Sequence, residues 1–177
     1  MEEAIKLENY SYDNYLEIDQ TTKERVELIF GKIYMMAGAS ESHQDAVGNI
    51  FFALKTFTKE SENCKPMVAP FDLKLEVEKK TNVVQPDVML FCNEELLPCA
   101  VFEVLSPSTA YKDKTVKKEL YEKSGIKEYF LVNIEFKIVE KFMLIDEKYQ
   151  YIGAYGLKDN LPLECIDQEL KVSEIFE

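Results

Sequence analysis

The apolar residues of this chain recur with two different periods, and the changes between these periods mark its predicted elements. Helical spacing follows Ser11 and Ser40, two residues that can cap a first turn. Gly31 lies between two apolar runs, which predicts a β-hairpin, and Gly125 is a natural helix stop. The predicted elements are a helix over residues 12–18, a hairpin over 26–36, a helix over 40–60, strands over 72–77, 82–92 and 99–105, a helix over 113–124, strands over 128–133, 137–145 and 149–155, and short elements over 161–166 and 172–176.

The order of these elements predicts the fold class. A hairpin and helices precede a run of strands that one helix interrupts, which is typical of an α+β (mixed α/β) protein with helices packed on a sheet. The length of 177 residues fits a single domain over residues 1–177. Pro66 and Pro70 are expected to break the chain before the first of the later strands.

Two carboxylates interrupt apolar strands. Glu103 is the one charged residue in the run over 99–105, and Asp87 lies among apolar residues in the run over 82–92. A buried carboxylate without a partner takes up a proton or requires a cation. Pro86 has no N–H for a strand ladder, so it favours an edge or a bulge that redirects Asp87. On antiparallel neighbouring strands the two carboxylates would converge, and an ion such as Mg²⁺ would relieve their repulsion.

The helix after Glu103 bears on whether these acids are functional. On spacing alone, a purely structural role explains the two acids as well as a metal site does. In that structural role, Glu103 forms a salt bridge with a lysine and Asp87 occupies a turn. Asp113, Lys117 and Tyr121 occur at i, i+4 and i+8 and form one polar stripe. We expect this stripe at the rim of a cleft, with Lys117 directed at the acids. The alternatives are an N-cap position for Asp113, a solvated Lys117 and a core position for Tyr121.

The charge of the chain limits its partners. A formal net charge of −12 argues against broad electrostatic adhesion to nucleic acid, which requires a basic surface. Residues 112–127 are an exception, because they contain six lysines and three acids. This segment is compatible with a small anionic or nucleic-acid target, and equally with a solvated helix face.

The chain has no apolar stretch long enough to span a membrane and no apolar segment typical of a signal peptide, so we expect a cytoplasmic protein. Cys64, Cys92, Cys99 and Cys165 form no C-x-x-C pair, and the one histidine, His43, is distant from them in sequence. This spacing argues against a zinc site. We expect the four cysteines to be reduced and partly buried.

The motifs taken together resemble a known family. Residues 86–133 contain, in order, P-D-V, F-E-V-L-S-P-S-T, D-x-x-x-K-x-x-x-Y and G-I-K-E-Y-F-L-V-N. Upstream stand E-L-I-F-G from Glu27 and S-H-Q from Ser42. These motifs resemble the Uma-type family, described as putative restriction endonucleases, a branch of the PD-(D/E)XK nuclease superfamily. The resemblance covers nearly the whole chain, and its specific part is the E-V-L-S-P-S-T run with the following D, K and Y.

The resemblance implies a restriction-endonuclease-like core: a central mixed sheet flanked by helices, with an N-terminal hairpin and extra C-terminal strands. It also implies that Asp87 and Glu103 hold Mg²⁺ (or Mn²⁺) and that a lysine assists the attacking water. The superfamily's usual lysine would fall at Leu105 in this chain. The resemblance implies that the helix supplies this lysine instead, which here points to Lys117.

Two further residues enter through the resemblance. Glu27 is expected to be an additional acid at the site, and His43 to lie near it. The alternatives are that Glu27 is an ordinary solvent-facing acid and that His43 caps or packs against the start of the long helix.

Three functions compete. The first is a metal-dependent endonuclease that hydrolyses phosphodiester bonds of DNA, working as a homodimer because one small domain must cut two strands. The second is a non-catalytic nuclease-fold protein that binds nucleic acid or a protein partner. The third is a metal-binding enzyme acting on a small phosphorylated substrate. The complete set of two acids and a lysine favours the first.

Overall fold

Two large β-sheets form the frame of the molecule. The computed structural model describes residues 9–61, 63–93 and 95–177, so most of the N-terminal stretch used in the signal-peptide expectation lies outside it. The strands of the described residues are β1 (Val26–Ile29), β2 (Lys32–Met35), β3 (Cys64–Val68), β4 (Leu73–Val77), β5 (Lys80–Val84), β6 (Val88–Cys92), β7 (Ala100–Leu105), β8 (Glu128–Asn133), β9 (Ile138–Ile145), β10 (Lys148–Tyr155), β11 (Asn160–Leu163) and β12 (Gln168–Lys171).

The strand order explains why the sheet is mixed. One sheet has the order β2-β1-β5-β4, the second has the order β10-β9-β8-β7-β6-β3, and β11 pairs with β12 in a small third sheet. In the six-stranded sheet, β7 and β8 are parallel, while the other neighbours are antiparallel. A parallel pair requires a crossover, and a helix between β7 and β8 provides it.

Three longer helices and a short 3-10 helix at Val172–Ile175 accompany the sheets in the described part of the chain. Helix α1 is Tyr12–Thr21 and α2 is Glu41–Phe57, capped by Ser11 and Ser40 as predicted. The crossover helix, α3, runs continuously through Ala110–Lys112, a π-helical turn at Asp113–Lys117, and Lys118–Ser124. None of these helices is long and apolar enough to cross a membrane.

The six-stranded sheet is buried on both faces, which explains the nearly continuous apolar runs of its central strands. One face packs against α2 and the β11–β12 pair, through Phe102 and Phe130 among others. The other face packs against α3 and the four-stranded sheet, and it includes Val101 and Leu105. Strand alternation puts Glu103 on this second face, between Val101 and Leu105.

The fold class is confirmed, and so are the N-terminal hairpin and the extra C-terminal strands. Two details of the prediction are wrong. Pro66 does not end a strand, because it lies within β3. This strand is at the edge of its sheet, where a residue without an N–H is tolerated. The predicted strand over 82–92 is two strands in different sheets, because β5 ends at Val84 and β6 begins at Val88. Pro86 lies in the link between them.

The helix and the C-terminus also differ from prediction. Helix α3 begins at Ala110, so Asp113 lies inside the helix and is not its N-cap. Gly125 ends the helix in the left-handed region, with φ of 86°, as predicted. The short strand expected over 161–166 ends at Leu163, and β12 was not predicted.

The expectation of four reduced cysteines is wrong for one pair. Cys64 on β3 and Cys92 on β6 are opposite one another and joined by a disulfide. Cys99 and Cys165 are free thiols, and the Sγ of Cys99 lies 3.8 Å from that of Cys92. Sequence spacing could not show this, because the pairing depends on the unpredicted strand β3.

The hairpin turn gives the first testable prediction. Gly31 has φ of 76°, and a Cβ there would lie 2.5 Å from Asn9 Oδ1. We expect Gly31→Ala to lower the free energy of unfolding by about 1–2 kcal/mol, since the left-handed conformation is unfavourable for a residue with a Cβ. Urea unfolding followed by circular dichroism measures the change.

Gly48 is the matched control. It lies inside α2, and a Cβ there would meet nothing within 4 Å. Gly48→Ala should therefore raise the free energy of unfolding by about 0.5–1 kcal/mol. Equal effects of the two substitutions would contradict the assigned turn.

Candidate active site

A cleft of about 210 Å³ opens at the end of the six-stranded sheet where β6 begins and β7 ends. Its walls come from the loop after β2, the first turns of α2, the link between β5 and β6, and the first half of α3. The lining residues with ionisable side chains are Arg25, His43, Asp87, Glu103, Lys112, Asp113 and Lys117.

Asp87 and Glu103 are brought together by strand register. Strands β6 and β7 are antiparallel, with Val88 opposite Phe102, so continuing the ladder by one residue places Asp87 opposite Glu103. The Oδ2 atom of Asp87 accepts a hydrogen bond from the backbone N–H of Val104 at 2.7 Å. The link that contains Pro86 thus directs Asp87 toward β7.

Glu103 is buried and bonded to α3. Its Oε1 atom accepts hydrogen bonds from Lys117 Nζ at 2.9 Å and from the Tyr121 hydroxyl at 2.6 Å. Burial raises the pKa of Glu103 to about 8, even though the Lys117 ammonium favours the charged form. Glu103 is therefore protonated much of the time near neutral pH.

Lys117 is the cation at the centre of the cluster. Its side chain is 3% exposed, and Nζ lies 2.9 Å from Glu27 Oε1, 2.9 Å from Glu103 Oε1 and 3.9 Å from Asp113 Oδ1. Burial alone would lower the pKa of Lys117, but these carboxylates hold it well above its usual value. The lysine is therefore charged at neutral pH.

Glu27 joins the cluster from strand β1. Its side chain is fully buried. The Oε2 atom lies 2.7 Å from Lys112 Nζ, and the Oε1 atom accepts a hydrogen bond from the backbone N–H of Gln85 at 2.9 Å. Burial would raise the pKa of Glu27, but Lys117 and Lys112 outweigh it, so the pKa is lowered. The solvent-facing alternative for Glu27 is wrong.

The two acids that share Lys117 therefore have opposite pKa shifts. Glu27 has two ammonium groups and a backbone N–H, and it stays ionised. Among the described residues, the carboxyl group of Glu103 bonds only to the ammonium of Lys117, which it shares with Glu27, and to a tyrosine hydroxyl. The effect of burial is therefore the larger one, and the pKa of Glu103 is raised. A proton that enters the cluster is consequently held on Glu103 rather than on Glu27.

Asp113 and Tyr121 lie on the same helix face as Lys117, as the spacing predicted. Asp113 and Lys117 line the cleft, but all three side chains are buried, so the stripe does not form an exposed rim. Burial raises the pKa of Asp113, although Lys117 and a hydrogen bond with Thr109 oppose the shift. The π-helical turn over Asp113–Lys117 is a type of helix irregularity that is frequent at functional sites.

His43 points at Asp87. Ser40 provides the helix cap, and the His43 Nε2 atom lies 3.3 Å from Asp87 Oδ2. This hydrogen bond raises the pKa of His43 against the opposing effect of burial. Among the described residues, His43 Nδ1 is the buried side-chain polar atom without a hydrogen-bond partner.

Sequence reasoning missed the partners of Glu27. Lys112 was noted only as part of a positive segment, and Gln85 was not singled out. Lys112 and Glu27 are 85 residues apart. The sole signal was that Lys112 directly precedes the D-x-x-x-K-x-x-x-Y motif and that Glu27 begins another motif, which gives no pairing.

Two carboxylates that line one cleft are a donor set suited to a hydrated Mg²⁺ or Mn²⁺ ion rather than to a metal held by protein ligands alone. The hydrogen bonds and ion pairs given above involve Oδ2 of Asp87 and Oε1 of Glu103. They do not involve Oδ1 of Asp87 or Oε2 of Glu103. Mg²⁺ commonly takes one or two carboxylates and keeps several waters. Across residues 9–61, 63–93 and 95–177, no group of three or more His, Cys, Asp or Glu side chains is arranged to hold a metal ion.

The fold is similar to that of a solved structure. A crystal structure described as a putative nuclease belonging to DUF820, from Anabaena variabilis, superposes with a TM-score of 0.75. The match covers 94% of this chain and 97% of that chain at 16% sequence identity. A likeness at this identity establishes the shared fold.

Residues 12–173 match the family model Uma2, described as "Putative restriction endonuclease", so the chain belongs to the Uma2 family. The uncharacterized protein slr1290 of Synechocystis sp. is 28% identical over 176 residues, covering 94% of this chain and 90% of its own. A second Synechocystis relative, the uncharacterized protein sll1609, is 27% identical over 152 residues, covering 78% and 79% of the two chains.

Replacing Lys117 by methionine tests the buried cluster. The substitution leaves Glu27 and Glu103 without their shared cation, which should lower the free energy of unfolding by about 3–5 kcal/mol near neutral pH. Lys114→Met is the control on the same helix, since Lys114 is 47% exposed and 3.8 Å from Glu140. Its effect should stay below about 0.5 kcal/mol. Similar losses in both variants, measured by urea unfolding, would contradict the cluster.

The pKa of Glu103 predicts a pH dependence of stability. This pKa is raised from 4.5 to about 8, so protonation of Glu103 stabilises the folded protein. This contribution to stability is complete below pH 4.5 and is lost as the pH rises through 8. Between about pH 5 and about pH 9, the free energy of unfolding of the wild type should therefore fall relative to that of Glu103→Gln. Urea titrations in the presence of a chelator measure both proteins without metal.

Glu27→Gln should behave differently over the same range. The pKa of Glu27 is lowered, so the stability from its ionisation is present above the ordinary value of 4.5 and is lost only in acid. The cost of this substitution should stay constant from about pH 5 to about pH 9. If the stability of both variants relative to the wild type changed with pH in the same way, the pKa values of Glu27 and Glu103 would not be shifted in opposite directions.

Proposed function

We propose that this protein is a metal-dependent endonuclease that hydrolyses phosphodiester bonds of DNA. The supporting observation is that Lys117 Nζ lies 2.9 Å from both Glu27 and Glu103 in a cleft that Asp87 also lines. Membership of a family described as putative restriction endonucleases supports DNA as the substrate.

Asp87 and Glu103 would hold the metal ion, Mg²⁺ or Mn²⁺. When bound, such an ion neutralises charge on a phosphate and lowers the pKa of a water molecule. The backbone N–H of Val104 fixes Asp87, and the Tyr121 hydroxyl fixes Glu103, so both carboxylates are oriented before a ligand arrives.

Lys117 would act mainly as a positioning residue. Its ammonium favours the ionised form of both carboxylates that it contacts, including Glu103, which must lose its proton before it can bind a cation. The carboxylate of Asp113 also lies near Lys117, so the ammonium is shared among three acids. Glu27 and Lys112 hold Lys117 in place by their own pairing on the side of β1.

One observation favours a second function, a non-catalytic protein that binds nucleic acid or a protein partner. Lys117 is buried and committed to carboxylates, and Glu103 binds a proton near neutral pH. Both properties are those of a cluster that is stable without metal. A homodimer is part of either proposal, since a symmetric pair is the commonest assembly.

Cleavage of supercoiled DNA tests the endonuclease function. With Mg²⁺ or Mn²⁺, we expect wild-type protein to nick the plasmid, and Asp87→Asn and Glu103→Gln to be slower by roughly 10²–10³-fold. A chelator should abolish cleavage. Glu174→Gln is the control, because Glu174 is an exposed acid that does not line the cleft. This variant should cleave as the wild type does.

Two results would contradict this proposal. Equal cleavage by the wild type and the Asp87 and Glu103 variants would mean that a contaminating nuclease is responsible. Metal-dependent binding of DNA without cleavage by any variant would favour the non-catalytic function.

A further inference from the structure

The cleft is rich in carboxylates, which creates a requirement for its substrate. Asp87, Glu103 and Asp113 line it, and Glu27 contacts two of its lining lysines. A phosphodiester is an anion, and its approach to such a site is opposed by like charge. A protein cation that is available to the phosphate would therefore reduce this repulsion together with the metal ion.

Most cations of the cleft are already engaged. Lys112 Nζ is 2.7 Å from Glu27, Lys117 is paired with Glu27 and Glu103, and His43 Nε2 is 3.3 Å from Asp87. A phosphate could recruit any of them only by breaking a buried or partly buried ion pair. That exchange leaves a carboxylate uncompensated.

The lysine-rich segment over 112–127 offers little beyond these. Lys123 is 3.0 Å from both Glu78 and Glu119, and Lys114 is 3.8 Å from Glu140. Lys118 lies over the ring of Phe142, 3.9 Å from its centroid. The positive segment found in the sequence is thus largely neutralised by its own surroundings.

Arg25, the only arginine of the chain, differs from these lysines. It lines the cleft and is exposed, and its guanidinium contacts a neutral group, the Gln85 Oε1 atom, at 3.5 Å. Within the described residues, Arg25 is the cleft cation that forms no ion pair with a carboxylate. Its charge is available to a ligand.

Arg25 is also held in a defined place. Its carbonyl accepts a hydrogen bond from Met36 N–H at 2.9 Å, which ties it to the loop on the other side of the hairpin. The Gln85 Nε2 atom donates to Asp72 Oδ1 at 2.8 Å, so the amide oxygen is turned toward the guanidinium. Gln85 precedes Asp87 by two residues, which links the arginine to the acid pair through one short segment.

We propose that Arg25 binds a non-bridging phosphate oxygen pair of the nucleic-acid backbone beside the bond to be cut. A guanidinium presents two parallel N–H donors that match a phosphate, and Lys cannot reproduce this geometry. The cleft then makes one direct phosphate contact through a protein cation. This inference rests on the proposed endonuclease function, and it adds the substrate-binding residue that the acid–lysine cluster lacks.

The salt dependence of binding tests this contact. The probe is a fluorescein-labelled DNA duplex of roughly 20 base pairs, titrated by anisotropy with Ca²⁺ present, over about 50–300 mM salt. We expect Arg25→Ala to weaken binding about tenfold and to reduce the slope of log K against log salt by about 1. Arg25→Lys should restore the slope but only part of the affinity, because the bidentate geometry is lost.

Lys23→Ala is the matched control. Lys23 is exposed, carries the same charge and precedes Arg25 by two residues, but it is not among the lining residues of the cleft. We expect it to leave the affinity and the slope unchanged. Arg25→Gln serves as a second neutral variant, and urea unfolding verifies that each protein is folded.

The outcomes separate this inference from the proposed function. If the wild type cleaves plasmid but Arg25→Ala and Arg25→Gln keep its affinity and slope, Arg25 does not bind phosphate and the endonuclease function stands. An equal loss in Lys23→Ala would mean diffuse attraction and would also overturn the assignment. If the wild type neither cleaves nor binds the duplex, the endonuclease function itself fails, and the inference with it.

Discussion

The ion pairs of one buried ammonium group, that of Lys117, connect the elements that make the cleft. Helix α3 carries the lysine, strand β7 carries Glu103 and strand β1 carries Glu27, and the two nearest carboxylate oxygens are both 2.9 Å away. These elements belong to two different sheets and a crossover helix. Burying ionisable groups is costly unless each is paired, so the cluster specifies how the sheets and the helix meet.

The same cluster has an excess of negative charge, which determines where protons and cations go. Glu27 remains ionised between Lys112 and Lys117, whereas Glu103 has its pKa raised by burial. A proton on Glu103 and a divalent cation beside it are therefore alternative ways to offset the same charge. A metal ion that binds Glu103 would therefore have to compete with the proton for that carboxylate.

The sequence predicted the parts of this site that have a local signature. A carboxylate in an apolar strand identified Asp87 and Glu103, and helical spacing put Lys117 beside Asp113 on one face. It could not predict contacts between distant segments, such as that of Lys112 with Glu27, because no local pattern encodes a partner 85 residues away. The same limit explains the missed strand β3, whose Pro66 is tolerated only because the strand is at an edge.

The acidity of the whole chain has a consequence for how any nucleic acid is held. A net charge of −12 repels the phosphate backbone at a distance, so electrostatic steering cannot concentrate the ligand at this surface. The lysines that look available in sequence are largely paired with neighbouring acids. Affinity must then come from a few close contacts inside the cleft, which is lined both by Arg25 and by the carboxylates that would hold a metal. Such a protein would select its ligand by local geometry at the cleft rather than by general attraction to polyanions.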